Sequence, residues 1–145
     1  MLINILIGMV MMTTCLLLQS VLLLLTLRIY RSRASIIDSP SIFSSIRVVN
    51  GVMWILVLGT SAQIAAWAQL YIWIGEFDYF ADAFYFSAVS FSTLGYGDIV
   101  LSVSYRILGA LEAVNGVLMI GVSTAVLMSV FQDAIRRALS ARHHE

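Results

Sequence analysis

Thr93-Leu94-Gly95-Tyr96-Gly97-Asp98 is the stretch of this chain that decides its architecture. An aromatic run, Phe77 to Phe91, leads into it, and an apolar segment from about Tyr105 to Phe131 follows. Its two glycines reach backbone dihedrals that other residues avoid, which lets successive carbonyls face one axis. Such non-helical backbone is tolerated at membrane depth only where protein buries it or where it lines a water-filled path.

The surrounding sequence supplies the membrane. The chain has 145 residues, 61% hydrophobic and 11% charged, with a mean hydropathy of +0.96. A soluble sequence is roughly half apolar and about a quarter charged, so a soluble domain of this length cannot hide so much apolar surface. Three segments reach the roughly 20 apolar residues a membrane crossing needs: Met1 to about Leu27, about Val48 to Ile74, and about Tyr105 to Phe131. The first has no basic residue at its start and no Ala-x-Ala site after it, and reads as a retained helix rather than a signal peptide. Net charge is zero, which removes the electrostatic case for nucleic acid. Cys15 is the only cysteine, which excludes an intrachain disulfide and a cysteine-rich metal site and reads as a small packing residue. His143 and His144 read as a solvated tail, and no nucleophile–base pair or metal-ligand cluster supports an enzyme.

Arginines set the orientation, for there is no lysine. Arg28, Arg31, Arg33 and Arg47 lie between the first two segments, and Arg136, Arg137 and Arg142 follow the third; only Arg106 falls on the other side, with Glu76, Asp78, Asp82 and Asp98. The positive-inside rule makes the arginine-rich side cytoplasmic. The expected protein is multi-pass in the cell inner (plasma) membrane, with its N-terminus outside, its C-terminus cytoplasmic, and the hexapeptide entering from outside. The serine-rich loop offers two readings: Ser39-Pro40 starts a short interfacial helix with Ile42, Phe43 and Ile46 dipping inward, or the loop is a solvated connector. Its arginines lack the every-third-residue intramembrane spacing of a voltage sensor and read as topology and headgroup anchors.

Residues from Ala83 to Ser92 are too few to cross a bilayer but suffice for a half-helix that enters and stops. Asp78 or Asp82 is placed to cap its N-terminus, and its C-terminal end, with partial negative charge, favours a cation at mid-membrane.

Five of the six hexapeptide positions match Thr-x-Gly-Tyr-Gly-Asp, the filter signature of potassium channels, a match expected by chance about once per million starting positions. From Val48 to Phe131 the chain resembles the pore module of bacterial two-transmembrane potassium channels: outer helix, pore helix, filter and inner helix in order. The resemblance implies an all-α membrane protein with three transmembrane helices and a re-entrant pore helix. It implies K+ bound by the carbonyls of Thr93, Leu94, Gly95 and Tyr96 and by the Thr93 hydroxyl, with Gly97 and Asp98 supporting the filter. It also implies aromatic packing behind the filter, open to Tyr85, Phe86 and Tyr96. Carbonyls must replace the hydration shell from all sides, and one chain carries one filter copy, so a homotetramer is expected. Three departures stand out. Leu94 replaces the commoner valine, no proline follows Asp98, and Val89 stands where some relatives carry a glutamate that pairs with the filter aspartate.

The third segment reads as the inner helix. Gly116 sits where relatives place their gating hinge, and tight helix packing explains it equally well. Ile120, Thr124 and Met128 follow at helical spacing and would line a cavity below the filter. Glu112 and Asn115 are the strongly polar residues of its outer half. Glu112 is read as a brace for the filter in place of the missing pore-helix glutamate, through Ser90 or Ser92, or else as the partner of Arg106. The expected organisation is an extra N-terminal transmembrane helix (1–27), a cytoplasmic basic linker (28–47), an ion-channel pore domain (48–131) and a short cytoplasmic tail (132–145). The expected function is passive, potassium-selective conduction, with K+ as permeant ion, no cofactor, and the lipid bilayer as surroundings. The alternatives are a non-selective cation channel and a non-conducting membrane scaffold subunit.

Overall fold

Apolar segments with no water beside them must satisfy their backbone internally, and helices do so. A computed structural model describes residues 1–34 and 42–142. They form four helices, α1 (Leu2–Ala34), α2 (Ile42–Trp73), α3 (Phe80–Phe91) and α4 (Arg106–Arg142), with no strand among the described residues. Apolar windows long enough to cross a membrane cover Leu2–Ile29, Val49–Trp73 and Arg106–Asp133. The 12 residues of α3 rise only about 18 Å, against about 30 Å of hydrocarbon. The fold is therefore the expected one: all-α, three spans and one half-length helix.

Two boundaries differ from expectation. Ile42 to Arg47 is the opening of α2 rather than a separate interfacial helix, because nothing after Pro40 interrupts the helix there; Ser39 and Pro40 themselves lie outside the described residues. Residues 132–142 continue α4, since Gln, Ala, Leu and Arg are good helix formers and no proline follows.

The helices pack in a defined sense. Along α1 and α4 the contacts advance together. Asn4 Nδ2 donates to the Ser104 carbonyl at 2.5 Å, Gly8 faces Leu108 and Leu111, and Gln19 Nε2 donates to Ser123 Oγ at 3.0 Å. These two helices are parallel. α2 runs opposite to both, with Gly59 against Leu22, and Val49, Val52 and Leu56 packed with Val130. The end of α1, the start of α2 and the end of α4 thus meet at one pole, where the sequence carries seven of the eight arginines.

The core lies at the opposite half, where α3 wedges between α2 and α4. Trp67, Tyr71, Phe86, Phe91, Leu108 and Met119 are buried there. Tyr71 meets Phe86 edge-on at 5.3 Å, and Phe77 lies 5.6 Å from Phe86, geometries that aromatic pairs favour. Little of each span is covered: 17% of the α1 window, 33% of the α2 window and 22% of the α4 window are buried. The remaining apolar surface is exposed in the single chain, far more than a soluble monomer leaves uncovered.

Phe86 joins α3 to this core, so Phe86→Ala is expected to cost about 3 kcal/mol, whereas Ala at the more exposed Tyr85 costs far less. Denaturant unfolding in detergent compares the two, and equal losses would mean that α3 is not anchored through Phe86.

Candidate functional site

Tyr79, extended at φ −116° and ψ 134°, is the N-cap of α3, and it makes no side-chain cap bond. The capping role expected of Asp78 or Asp82 is therefore not filled. Asp78 lies one residue too early and Asp82 already sits inside the first turn, where its charge still favours the positive helix end. At the other end, Ser92 N–H donates to the Ala88 carbonyl at 3.1 Å, Thr93 N–H to Ser90 at 3.0 Å and Leu94 N–H to Val89 at 3.0 Å. These bonds carry the chain from helix into the hexapeptide.

Thr93 has φ +60°, Gly95 +57° and Gly97 +76°, while Leu94 and Tyr96 between them are not positive. In an extended strand, carbonyls alternate sides. Reversing the handedness of every second residue flips alternate peptide planes and turns carbonyls toward one side. The two glycines take this conformation freely. Thr93, β-branched, does so at a cost of roughly 1–3 kcal/mol, and strain of this kind collects at functional sites. The tyrosine and leucine side chains project outward, Tyr96 66% and Leu94 58% exposed in the single chain.

Of the three aromatics expected behind the hexapeptide, only Phe86 is buried in the core of its own chain. Tyr85 instead donates its hydroxyl to Asp98 Oδ2 at 2.7 Å, and Ile99 N–H donates to Asp98 Oδ1 at 3.0 Å. The Tyr85 hydrogen bond is the chief reason the Asp98 carboxyl lies below its ordinary range, and the same bond raises the Tyr85 phenol. Tyr85 is one helical turn before Val89, so the aspartate is tied to α3 by a residue expected only to pack behind the hexapeptide. Glu76 accepts from Ser102 N–H at 2.8 Å and Ser102 Oγ at 2.7 Å, joining the turn after α2 to the loop before α4. A cavity of about 330 Å³ opens between these pieces, lined by Val89, Ser90, Gly95, Gly97, Arg106 and Gly109 among others.

Glu112 is fully buried, and Tyr71 on α2 donates to its Oε2 at 2.8 Å. Neither Ser92 nor Arg106 is its partner. Ser92 Oγ is occupied by the carbonyls of Ala88 and Val89, and Arg106 is not bonded to the carboxyl. Ser87 Oγ and Glu112 Oε1 are both buried and neither forms a hydrogen bond. Asn115, one turn on, is fully buried beside Cys15 and forms no side-chain hydrogen bond. Cys15 is thus a buried packing residue, as its sequence surroundings suggested.

Of the glycines, Gly116 lies nearest to a neighbouring segment. A Cβ there would fall on the Phe91 carbonyl oxygen and lie 2.7 Å from its carbon. Of the two readings of this glycine, tight packing is what its surroundings require, and α4 runs through it as continuous helix. Ile120, Thr124 and Met128 are exposed in the single chain. No group of three or more metal-ligating side chains exists among the described residues, and His143 and His144 lie outside them.

Compared with known proteins, residues 52–133 match the family model described as "Ion channel", more than half of the chain, from α2 to beyond the middle of α4. No curated protein and no solved structure matches the chain.

Two outcomes follow from this geometry. Asp98 has a depressed value when folded, so its tie to Tyr85 is complete above the ordinary carboxylate range and is lost as pH falls through the depressed value. Tyr85→Phe removes the donor and moves the Asp98 midpoint upward; a carboxyl NMR titration with an unchanged midpoint would show the tie is not formed. Gly116→Ala pushes α4 away from Phe91, and is expected to destabilise the fold by about 1–3 kcal/mol. An unchanged unfolding midpoint would mean that α4 and α3 are not in backbone contact.

Proposed function

Because this chain belongs to the ion channel family and is a multi-pass membrane protein, we propose that it conducts potassium selectively, through a filter formed by Thr93 to Tyr96 of four identical chains. The observation that carries the reading is the alternation of positive φ at Thr93, Gly95 and Gly97 directly after a half-length helix. Carbonyls of Thr93, Leu94, Gly95 and Tyr96 and the Thr93 hydroxyl would replace the hydration shell of K+. The Tyr85–Asp98 bond and the contact of Gly116 with Phe91 hold the two ends of this stretch in place. The C-terminal end of α3, with its partial negative charge, faces the entry to the stretch and favours a cation there.

The single chain supports the tetramer by what it leaves open: the hexapeptide and the inner-helix positions Ile120, Thr124 and Met128 are exposed, although apolar side chains dominate around them. A ring of chains buries the first and lines a cavity with the second. Residues 48–131 make the pore domain in this reading, and α1 is additional to it. The arginine-rich pole is cytoplasmic by the positive-inside rule, which sets the N-terminus outside the cell membrane. Conduction is passive, and no chemistry on a substrate is assigned.

Purified protein in liposomes is expected to pass K+ in marked preference to Na+. Alanine at Gly95, strained at φ +57°, removes the preference, since left-handed backbone costs a non-glycine residue about 1–2 kcal/mol in every chain of the ring. K+ also raises the thermal stability of the assembly more than Na+, as any ligand specific to the folded state does. Equal K+ and Na+ flux would instead establish a non-selective channel, and absence of flux with equal stability in both salts a non-conducting subunit.

A further inference from the structure

α4 is held at two levels. Above, Gly116 rests on the Phe91 carbonyl, and Asn115 is buried beside Cys15 of α1. Below, Ser123 Oγ accepts from Gln19 Nε2 at 3.0 Å, and Gln19 Oε1 accepts from Gln63 Nε2 at 2.7 Å. A continuous polar chain therefore runs from α2 through α1 to α4, with Gln63 fully buried and Gln19 4% exposed. Between the two levels lies Gly121, where an added Cβ would meet nothing within 4 Å. A glycine inside a helix is its most easily bent point. Further down, α4 touches α2 through Val130 and Leu127, apolar contacts without direction that tolerate sliding. The hydrogen bond to Ser123 has a direction and defines one position of the lower half of α4.

We propose that α1 is a restraining helix, in which Gln19, held by Gln63, clasps Ser123 and opposes displacement of the lower half of α4. Release of the clasp accompanies opening of the pore. This rests on the channel reading and gives a role to a helix outside the matched residues 52–133. Polar side chains within a membrane are costly and mark function rather than bulk stability. Interhelical hydrogen bonds there shift an equilibrium only about threefold on average. A bond of that strength positions α4 and still breaks when the helix moves, as a restraint must.

The experiment introduces Met128→Cys, which exposes a thiol below the clasp while Cys15, 1% exposed, stays silent. Labelling by a polar thiol reagent and K+ flux are then measured in Ser123→Ala, Gln19→Leu and Ser123→Thr. Ser123→Ala leaves the Gln19–Gln63 bond intact, so it remains informative if Gln19→Leu fails to fold. The expected result is labelling about threefold faster per chain and longer open times in the first two variants. Ser123→Thr, which keeps the hydroxyl, behaves as the parent. Unchanged labelling and flux in Ser123→Ala would overturn the restraint. If no variant conducts but labelling still accelerates, the channel reading falls and the restraint stands.

Discussion

Where the backbone of α4 crosses the end of α3, a hydrogen at Gly116 is all that fits against the Phe91 carbonyl. The depth and direction of the hexapeptide follow from that contact, because Thr93 comes two residues after Phe91 and inherits its position. A β-branched residue in the left-handed region is held there only if its neighbours allow nothing else. They do so from both sides: the α3 carbonyls of Ser90 and Val89 take the amides of Thr93 and Leu94, and Tyr85 holds Asp98 at the far end. The local strain is therefore carried by a support of ordinary hydrogen bonds and close packing.

The same logic governs the polar groups buried between the helices. Glu112 meets Tyr71, Gln19 meets Gln63 and Ser123, and Asn4 meets the Ser104 carbonyl. The side-chain partners come from different helices, and the Ser104 carbonyl lies in the turn just before α4. Hydrophobic attraction between helices is weak where lipid is equally apolar, so packing of small residues and interhelical hydrogen bonds decide which faces meet. Gly8 and Gly59, each seated against a leucine of a neighbouring helix, contribute the close approach, and the amides contribute direction.

Much of the architecture was legible in the sequence because length and composition constrain membrane helices so strongly. Three long apolar runs and a half-length aromatic one lead to the right number and kind of elements. The pairings were not legible. Tyr71 is 41 positions from Glu112, and no spacing rule within one helix connects them; Ser92 stands nearer in sequence but turns its hydroxyl back onto its own helix. The Tyr85 ring suggests packing, whereas its hydroxyl, on the helix face one turn before Val89, reaches Asp98. The positive φ of Thr93 had no signal at all, since glycine announces that conformation and threonine conceals it. The cap of α3 failed for a related reason: a capping aspartate must stand at one exact position, and Tyr79 occupies it.

The length of α1 has a consequence of a different kind. Its apolar stretch of 28 residues rises about 42 Å, whereas the hydrocarbon layer is about 30 Å thick. Such hydrophobic mismatch is relieved by tilting the helix or by thickening the bilayer around it. α1 cannot tilt alone, for it is bonded to the turn before α4 at Asn4 and to α4 and α2 at Gln19. Bilayer thickness therefore enters the energetics of the whole bundle through this one helix, and a thinner membrane loads those contacts harder than a thick one.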